Sequence, residues 1–280
     1  MNSLTKNPLS AAAATWDDPN ENIEATNARI HDGVPIDKLE DRADSYIQTI
    51  FGLFPYIQLP QQPTCLEIGS GTGYIMEALD RELTRQRKSP LWIGGLDIAK
   101  NMLAKAKARL GKKKLFKFFL YDGMSVPLPE ESVDFIYSVA ALQHVPKPYV
   151  YNPFFEMLRI VKQEGFVAIH LLSFKHLAVQ EQFFSWREEI KQQTTGGRGH
   201  WHHFYSQEEL EMVLSVGTGV PYVNIHDDGC GIWVCFHKTK PPIPADFDPE
   251  RYLEINSDVV GTNAAEHWQK YGYKEGRVWI

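Results

Sequence analysis

A run of glycines and three acids carry the densest chemistry in this sequence. Gly69-Ser70-Gly71-Thr72-Gly73 follows a short apolar run at residues 65–68 and precedes a helical pattern that reaches Leu83. A glycine-rich turn between a strand and a helix lets the backbone approach a ligand closely, and it suggests a nucleotide-type ligand. The dinucleotide fingerprint is not met, because the place of its third glycine is taken by Tyr74. Glu67 stands two residues before the first glycine. A carboxylate there disfavours a doubly negative pyrophosphate and favours a ligand with positive charge, such as an amino acid ammonium or a sulfonium. Asp97 ends the next apolar run, 24 residues after Gly73. At about that distance an acid accepts hydrogen bonds from ribose hydroxyls. Asp122 ends a third run and is placed to accept from an adenine amino group. Each feature alone has a plainer explanation, since strand-end acids often cap helices. In this order, on successive strands, they favour the ligand.

The elements that must hold these residues follow from periodicity. Residues 38–54 read as a helix with Leu39, Ala43, Tyr46, Ile47, Ile50 and Phe51 on one face. Strands are expected at 65–68, 91–96, 116–121, 133–139 and 166–172, with helices following the glycines and at 101–110 and 154–161. Strands alternating with helices at this spacing give a parallel sheet covered on both faces. Ser206 is placed to cap a further helix, with Glu209 three residues on. Runs at 222–226 and 232–237 flank Asp227-Asp228-Gly229 and read as an antiparallel hairpin. Pro241, Pro242 and Pro244 make a stiff break, and residues 246–280 carry their own aromatic cluster: Phe247, Tyr252, Trp268, Tyr271, Tyr273 and Trp279. The expected organisation is an N-terminal arm or lid at 1–37, a main domain at 38–240 and a small module at 245–280. The arm reads first as a polar tail, with Trp16 as the residue a lid would use.

Composition narrows the function classes. Hydrophobic residues make up 43% and charged residues 23%, which excludes collagen-like and wholly disordered chains. The formal net charge of −6 argues against a protein held by phosphate backbones. The basic run from Lys105 to Lys117 therefore reads as a solvated face, and no nucleic acid partner is expected. Three cysteines are too few and too scattered for a disulfide framework or a zinc knuckle. With no membrane-length apolar run and no signal-peptide pattern, a cytoplasmic location is expected.

Beyond the residues themselves, Leu66-Glu67-Ile68-Gly69-Ser70-Gly71-Thr72-Gly73 resembles the first motif of class I S-adenosylmethionine-dependent methyltransferases. Gly95-Leu96-Asp97-Ile98-Ala99-Lys100-Asn101-Met102-Leu103 is similar to the second and Tyr121-Asp122-Gly123 to the third. The run from Leu128 to Ser138, then Leu142-Gln143-His144-Val145-Pro146, is similar to the small-molecule branch. The resemblance covers about residues 40 to 238. It implies a Rossmann-like α/β fold with a seven-stranded, mostly parallel sheet and an antiparallel last strand. It also implies S-adenosylmethionine as cofactor. Glu67 with Gly69, Gly71 and Gly73 would hold the methionine part and Asp97 the ribose. Ile98 and Met102 would pack on adenine, Asp122 and Gly123 would touch its edge, and Ser138 joins the cofactor set. Lys162-Gln163-Glu164-Gly165 departs from the family's Pro-Gly-Gly type turn. The tail, Phe247 to Val259 and Glu266 to Arg277, looks like a short module attached to bacterial glycosyltransferases and surface-polysaccharide proteins.

The implied reaction is in-line attack of a nucleophile on a sulfonium methyl, where most of the catalysis can come from holding the partners in line. An oxygen nucleophile also needs its proton removed, which suits a histidine. His144 is the candidate base; the plainer reading is that Gln143 and His144 only orient their loop. His170 reads as a core histidine. Gln143, His200, His202 and His203 are candidates for the acceptor pocket, and no metal is expected. Asp227-Asp228 reads as a hairpin turn rather than a magnesium site. Asn152-Pro153-Phe154-Phe155 looks like a nucleic-acid methyltransferase motif but falls too late, and it reads as a helix start. The acceptor is expected to be a small molecule, with a sugar or glycan precursor favoured by the tail. The rivals are another group transfer from a related cofactor, such as aminopropyl transfer, and a non-catalytic binding module on the same fold. Oligomeric state is left open.

Overall fold

A computed structural model describes residues 15–31, 33–177, 202–239, 243–244, 246–259 and 261–272, with single positions at 184, 185, 187, 188, 191, 275 and 277–279. Parallel strands β1 (Thr64–Ile68), β2 (Trp92–Asp97), β3 (Phe116–Leu120), β4 (Val133–Val139) and β5 (Val161–Ser173) form the sheet. The hairpin expected near Asp228 is present as β7 (Tyr222–Asp227) and β8 (Gly231–His237). Strand β8 pairs antiparallel with β5, so the order is β3-β2-β1-β4-β5-β8-β7. This is the expected Rossmann-like sheet with its antiparallel last strand. It gains an eighth strand, β6 (Phe204–Tyr205), pairing parallel with Leu172 and Ser173. Two residues are too few to leave an alternating pattern.

Two apolar layers cover the sheet. On one side α2 (Leu39–Leu53) and α3 (Tyr74–Arg85) bury Leu39, Ala43, Ile47, Ile50, Met76 and Leu79. Tyr46 and Phe51, from the same predicted face of α2, are half-buried against that layer. On the other side α5 (Lys147–Ile160) and α7 (Gln207–Glu211) bury Phe154, Met157 and Leu210. Helix α4 (Lys100–Leu110) closes the edge beside β2, and a short helix α6 (Phe174–Leu177) follows β5. Ser206 caps α7 by accepting from Glu209 N at 3.2 Å, as its spacing predicts. Asn152-Pro153 does not start a helix: α5 begins at Lys147, and Pro153 lies inside it. Asn152 Nδ2 donates to the Met124 carbonyl at 2.6 Å. Lys162 to Gly165 belongs to β5 rather than to a turn. A Cβ on Gly165 would lie 2.8 Å from the Asp134 carbonyl oxygen, so this strand start needs glycine.

The described residues near both ends, 15–31 and 246–279, pack onto the main body. Helix α1 (Ile23–Ile30) is capped by Asn22, whose side chain accepts from Ala25 N, and it buries Thr26 and Asn27. The tail reading of residues 15–31 is thereby corrected: they form a strap packed on the glycine loop. At the other end Asp248 caps α8 (Pro249–Ile255), and α9 (Ala264–His267) runs into wide turns at Trp268–Gly272. Trp268 is 0% exposed, with ring centroids 5.5 Å from Trp279, 6.0 Å from Phe247 and 6.3 Å from Tyr56. Tyr252, Val259, Ala264 and Trp268 share one apolar cluster with α2 and α3, so the tail is continuous with the main core. Among the described residues no helix is long and apolar enough to cross a membrane.

Candidate active site

A cleft of about 520 Å³ opens at the carboxyl ends of β1, β2, β4 and β5. That is where ligands bind in open α/β sheets. Gly69, Gly71 and Gly73 form one wall with φ of 76°, 53° and 83°, a region that disfavours side chains. Space enforces the same choice. A Cβ on Gly69 would fall 2.2 Å from Ala141 Cβ, and one on Gly73 would fall 2.8 Å from Leu110 Cδ1. The loops after β1 and β4 therefore touch backbone to side chain. Ala140, on the cleft wall after β4, holds φ at 53°, a strain of about 1–3 kcal/mol that clusters at functional sites.

Asp97 links the loops. Its Oδ1 accepts from Ala99 N and its Oδ2 from Gly71 N, both at 2.9 Å. Burial raises its carboxyl above the ordinary aspartate range. Each oxygen keeps lone-pair capacity for a ligand hydroxyl. Glu67 is 1% exposed at the cleft floor, where Tyr137 Oη donates to it at 3.4 Å. Burial pushes Glu67 well above the usual carboxylate range. A cationic group above it would favour the ionised form. Ser70 Oγ and Gln143 Oε1 are buried without a hydrogen-bond partner. Ile98, Met102, Tyr121 and Gly123 complete an apolar slot beside Asp97.

The strap closes this half from above. Thr72 Oγ1 donates to Asn27 Oδ1 at 2.8 Å, and a Cβ on Gly71 would meet Ile30 Cδ1 at 3.3 Å. Asp17 Oδ1 accepts from Asn101 N at 2.5 Å, supplying the start of α4 with a cap that Ala99 lacks. Trp16 lines the same cleft. The Arg29 guanidinium carbon lies 5.3 Å from its ring centroid, the Trp16 and His144 rings stand 5.0 Å apart, and His144 and His202 stand 4.8 Å apart. Strap, β4 loop and the segment before β6 thus meet at one row of rings.

Most of the predicted site residues converge on the cleft. Glu67, Gly69, Gly71, Gly73, Asp97, Ile98, Met102, Gly123, Gln143, His144 and His202 all line it. Ser138 and Asp122 do not line the cleft. Ser138 is fully buried, and its hydroxyl donates to the Ile68 carbonyl at 2.8 Å, tying β4 to β1. Asp122 faces outward and accepts from Met124 N and Ser125 N at 2.8 Å, which holds its carboxyl low. His203 supports the wall from behind: its N–H donates to the Gln143 carbonyl at 2.8 Å, and burial lowers its imidazole pKa. His200 lies outside the described residues. His170 is packed on Trp233 with its imidazole pKa pushed down to about 4 by burial, in keeping with a core histidine. Asp227 and Asp228 accept turn N–H groups, and among the described residues no cluster of His, Cys, Asp and Glu is arranged to hold a metal. Sequence reasoning missed Ile30, Arg42, Tyr46 and His176 as lining residues. The spacing of Ile23, Thr26, Asn27 and Ile30 carried a helical signal for the first of these.

Fold and cleft define a Rossmann-like α/β protein with a cleft at the carboxyl ends of its parallel strands. A family model described as a methyltransferase domain matches residues 66–169. The chain is 28% identical over 141 residues to a malonyl-[acyl-carrier protein] O-methyltransferase of Marinomonas sp. (strain MWYL1), spanning 49% of this chain and 50% of that one. It is 29% identical over 160 residues to the protein of that name from Bacillus anthracis, spanning 57% and 55%. The chain thus spans about half the length of these curated relatives. A crystal structure of an S-adenosylmethionine-dependent methyltransferase from Aquifex aeolicus superposes with a TM-score of 0.52 at 17% identity, covering 76% of this chain and 98% of that one. The fold is that of the S-adenosylmethionine-dependent methyltransferases, and the family match indicates S-adenosylmethionine binding. The glycine cradle, the spare capacity of Asp97 and the unpartnered Ser70 hydroxyl fit that ligand.

Proposed function

We propose that this chain transfers a methyl group from S-adenosylmethionine to an oxygen of a small molecule. The observation that carries the reading is the continuity of one cleft from Asp97 and the glycine loop to His144. When bound, S-adenosylmethionine supplies a methyl on a sulfonium with a good neutral leaving group. Asp97 would hold the ribose hydroxyls, and Glu67 and the glycine loop the methionine end. Ile98 and Met102 would flank the adenine. His144, at the opposite end, would accept the proton of an acceptor hydroxyl as it attacks. Two relatives carry names of O-methyltransferases, which favours oxygen over nitrogen. The tail's resemblance to a module of glycosyltransferases supports a sugar or glycan precursor as acceptor.

Calorimetric titration with S-adenosylmethionine and S-adenosylhomocysteine tests the first half. Micromolar binding by the wild type, lost in Asp97→Ala, is expected; absence of binding by the wild type refutes it. A panel of sugars and hydroxylated acids, read by release of S-adenosylhomocysteine, tests the second half. With an acceptor in hand, His144→Ala should lower kcat by about 10²- to 10⁴-fold, the range of general base catalysis.

A further inference from the structure

Glu67 and Tyr137 are register partners where β1 runs parallel to β4, so their side chains leave the sheet on the same side. Glu67 lines the cleft, whereas Tyr137 stands outside the lining and is 0% exposed. Tyr137 Oη donates to Glu67 Oε2 at 3.4 Å, and the Met76 N–H, from α3, donates to the same carboxyl. The Tyr137 ring is stacked on Phe135, with centroids 5.4 Å apart and planes at 18°, which holds the hydroxyl in its direction. Phe135 and Val139, two positions to either side along β4, join Tyr137 in one apolar cluster. A phenylalanine would serve that packing equally well, so the hydroxyl answers to Glu67 and not to the core.

We propose that Tyr137 is a positioning residue for the cofactor: from behind the cleft wall its hydroxyl fixes the Glu67 carboxyl as the acceptor of the ammonium on the methionine end. The proposal rests on the methyltransferase reading and deepens it. A buried carboxylate is costly unless it is paired and hydrogen-bonded. Asp97 on β2 opposes a negative charge on Glu67, and Arg109 on α4 supports one. Burial is the largest influence and pushes the carboxyl well above its usual range. An ammonium brought against Glu67 restores the charged form. The charged form takes a stronger bond from Tyr137, since O–H···O⁻ bonds contract to about 2.5–2.7 Å. Tyr137 and Met76 together use two of the roughly four lone-pair sites of a carboxylate, which leaves the others for the ligand. The bond from Tyr137 therefore strengthens as the amino acid end arrives, and it gives nothing to a ligand without that end.

The test titrates the full chain calorimetrically with S-adenosylhomocysteine, which carries the amino acid end, and with methylthioadenosine, which lacks it. Tyr137→Phe keeps the ring that stacks on Phe135, and circular dichroism with urea unfolding verifies its fold. This variant should bind S-adenosylhomocysteine about 10- to 100-fold more weakly, the range for a hydrogen bond to a charged group, and methylthioadenosine as the wild type does. Glu67→Gln should divide the two ligands in the same way, and adding Tyr137→Phe to it should cost nothing further. An equal loss for both ligands would mean that Tyr137 only supports the sheet, and it overturns the proposal. No loss for either ligand, or a full further loss in the double variant, overturns it as well. Failure of the wild type to bind S-adenosylhomocysteine overturns the methyltransferase reading and the proposal with it, whereas every other outcome leaves that reading standing.

Discussion

Replacing Thr72 with Val tests the strap as the cover of the cofactor cleft. The two side chains have nearly the same shape, so the change removes one hydroxyl from the glycine loop. That hydroxyl donates to Asn27 Oδ1 at 2.8 Å, and both residues are at most 2% exposed. Asn27 Nδ2 is already buried without a hydrogen-bond partner, so the variant leaves both polar atoms of that amide unsatisfied. Leaving a buried polar group unsatisfied costs about 1–3 kcal/mol. Other hydrogen bonds of the strap are part-buried rather than fully buried: Asp17 accepts from Asn101 N, Lys105 Nζ donates to the Asp18 carbonyl at 3.3 Å, and Arg42 Nη1 donates to the His31 carbonyl at 3.0 Å. The cost therefore falls on docking of the strap and should raise its open fraction by about 5- to 150-fold. Hydrogen exchange across Ile23–Ile30 reads this directly. Protection there should fall by that factor while β1 and β4 keep theirs. Release of S-adenosylhomocysteine, followed by stopped flow, should quicken in parallel. Unchanged protection over the strap with a lower global stability would show that Thr72 only holds its own loop. Lost protection with unchanged release would show that the strap does not cover the ligand.

Two further outcomes follow from burial. Trp268→Ala should cost about 3–5 kcal/mol, the range for emptying a buried large aromatic site, and should lower the midpoint of one cooperative transition. A separate early transition, with the main midpoint unmoved, would refute the shared core of tail and sheet. His170 is held neutral in the folded chain, its pKa pushed down to about 4 by burial from an ordinary 6.5. As pH falls below 6.5 the unfolded chain takes this proton first, so stability is lost between pH 6.5 and about 4, on the order of 3 kcal/mol in all. His237, pushed down to about 3 by burial, adds to the same slope. Urea unfolding at pH 7 and pH 4.5 should show a smaller pH dependence for His170→Phe than for the wild type. Equal slopes would refute the assignment.

What the sequence discloses of this molecule divides by physical cause. The glycine loop is legible because its constraint is local: three positions need left-handed φ, and two have no room for a Cβ. Asp97 is legible because a fixed strand–turn–helix unit sets its distance from that loop. The five parallel strands and the hairpin announce themselves by runs long enough to show a period. Asp122 shows the limit of the same logic. An acid at a strand end can face a ligand or cap the next turn, and the sequence looks alike in both cases. Here Met124 N and Ser125 N take its oxygens. Ser138 fails for a related reason, since a hydroxyl at a strand end can serve a neighbouring strand, and the Ile68 carbonyl claims it.

The row of rings on the cleft wall is assembled by convergence rather than by any one segment. Trp16, His144 and His202 come from three places along the chain and meet in one row of rings on the cleft wall. No spacing rule links them, and each has a plain surface or core reading when taken alone. Ala140, Ala141 and His144 wall the same cleft, where Ala140 holds its left-handed φ and Gly69 admits Ala141 to contact. Widening that contact would shift the loop that carries His144 relative to the glycine loop, and the proposed in-line transfer depends on that distance.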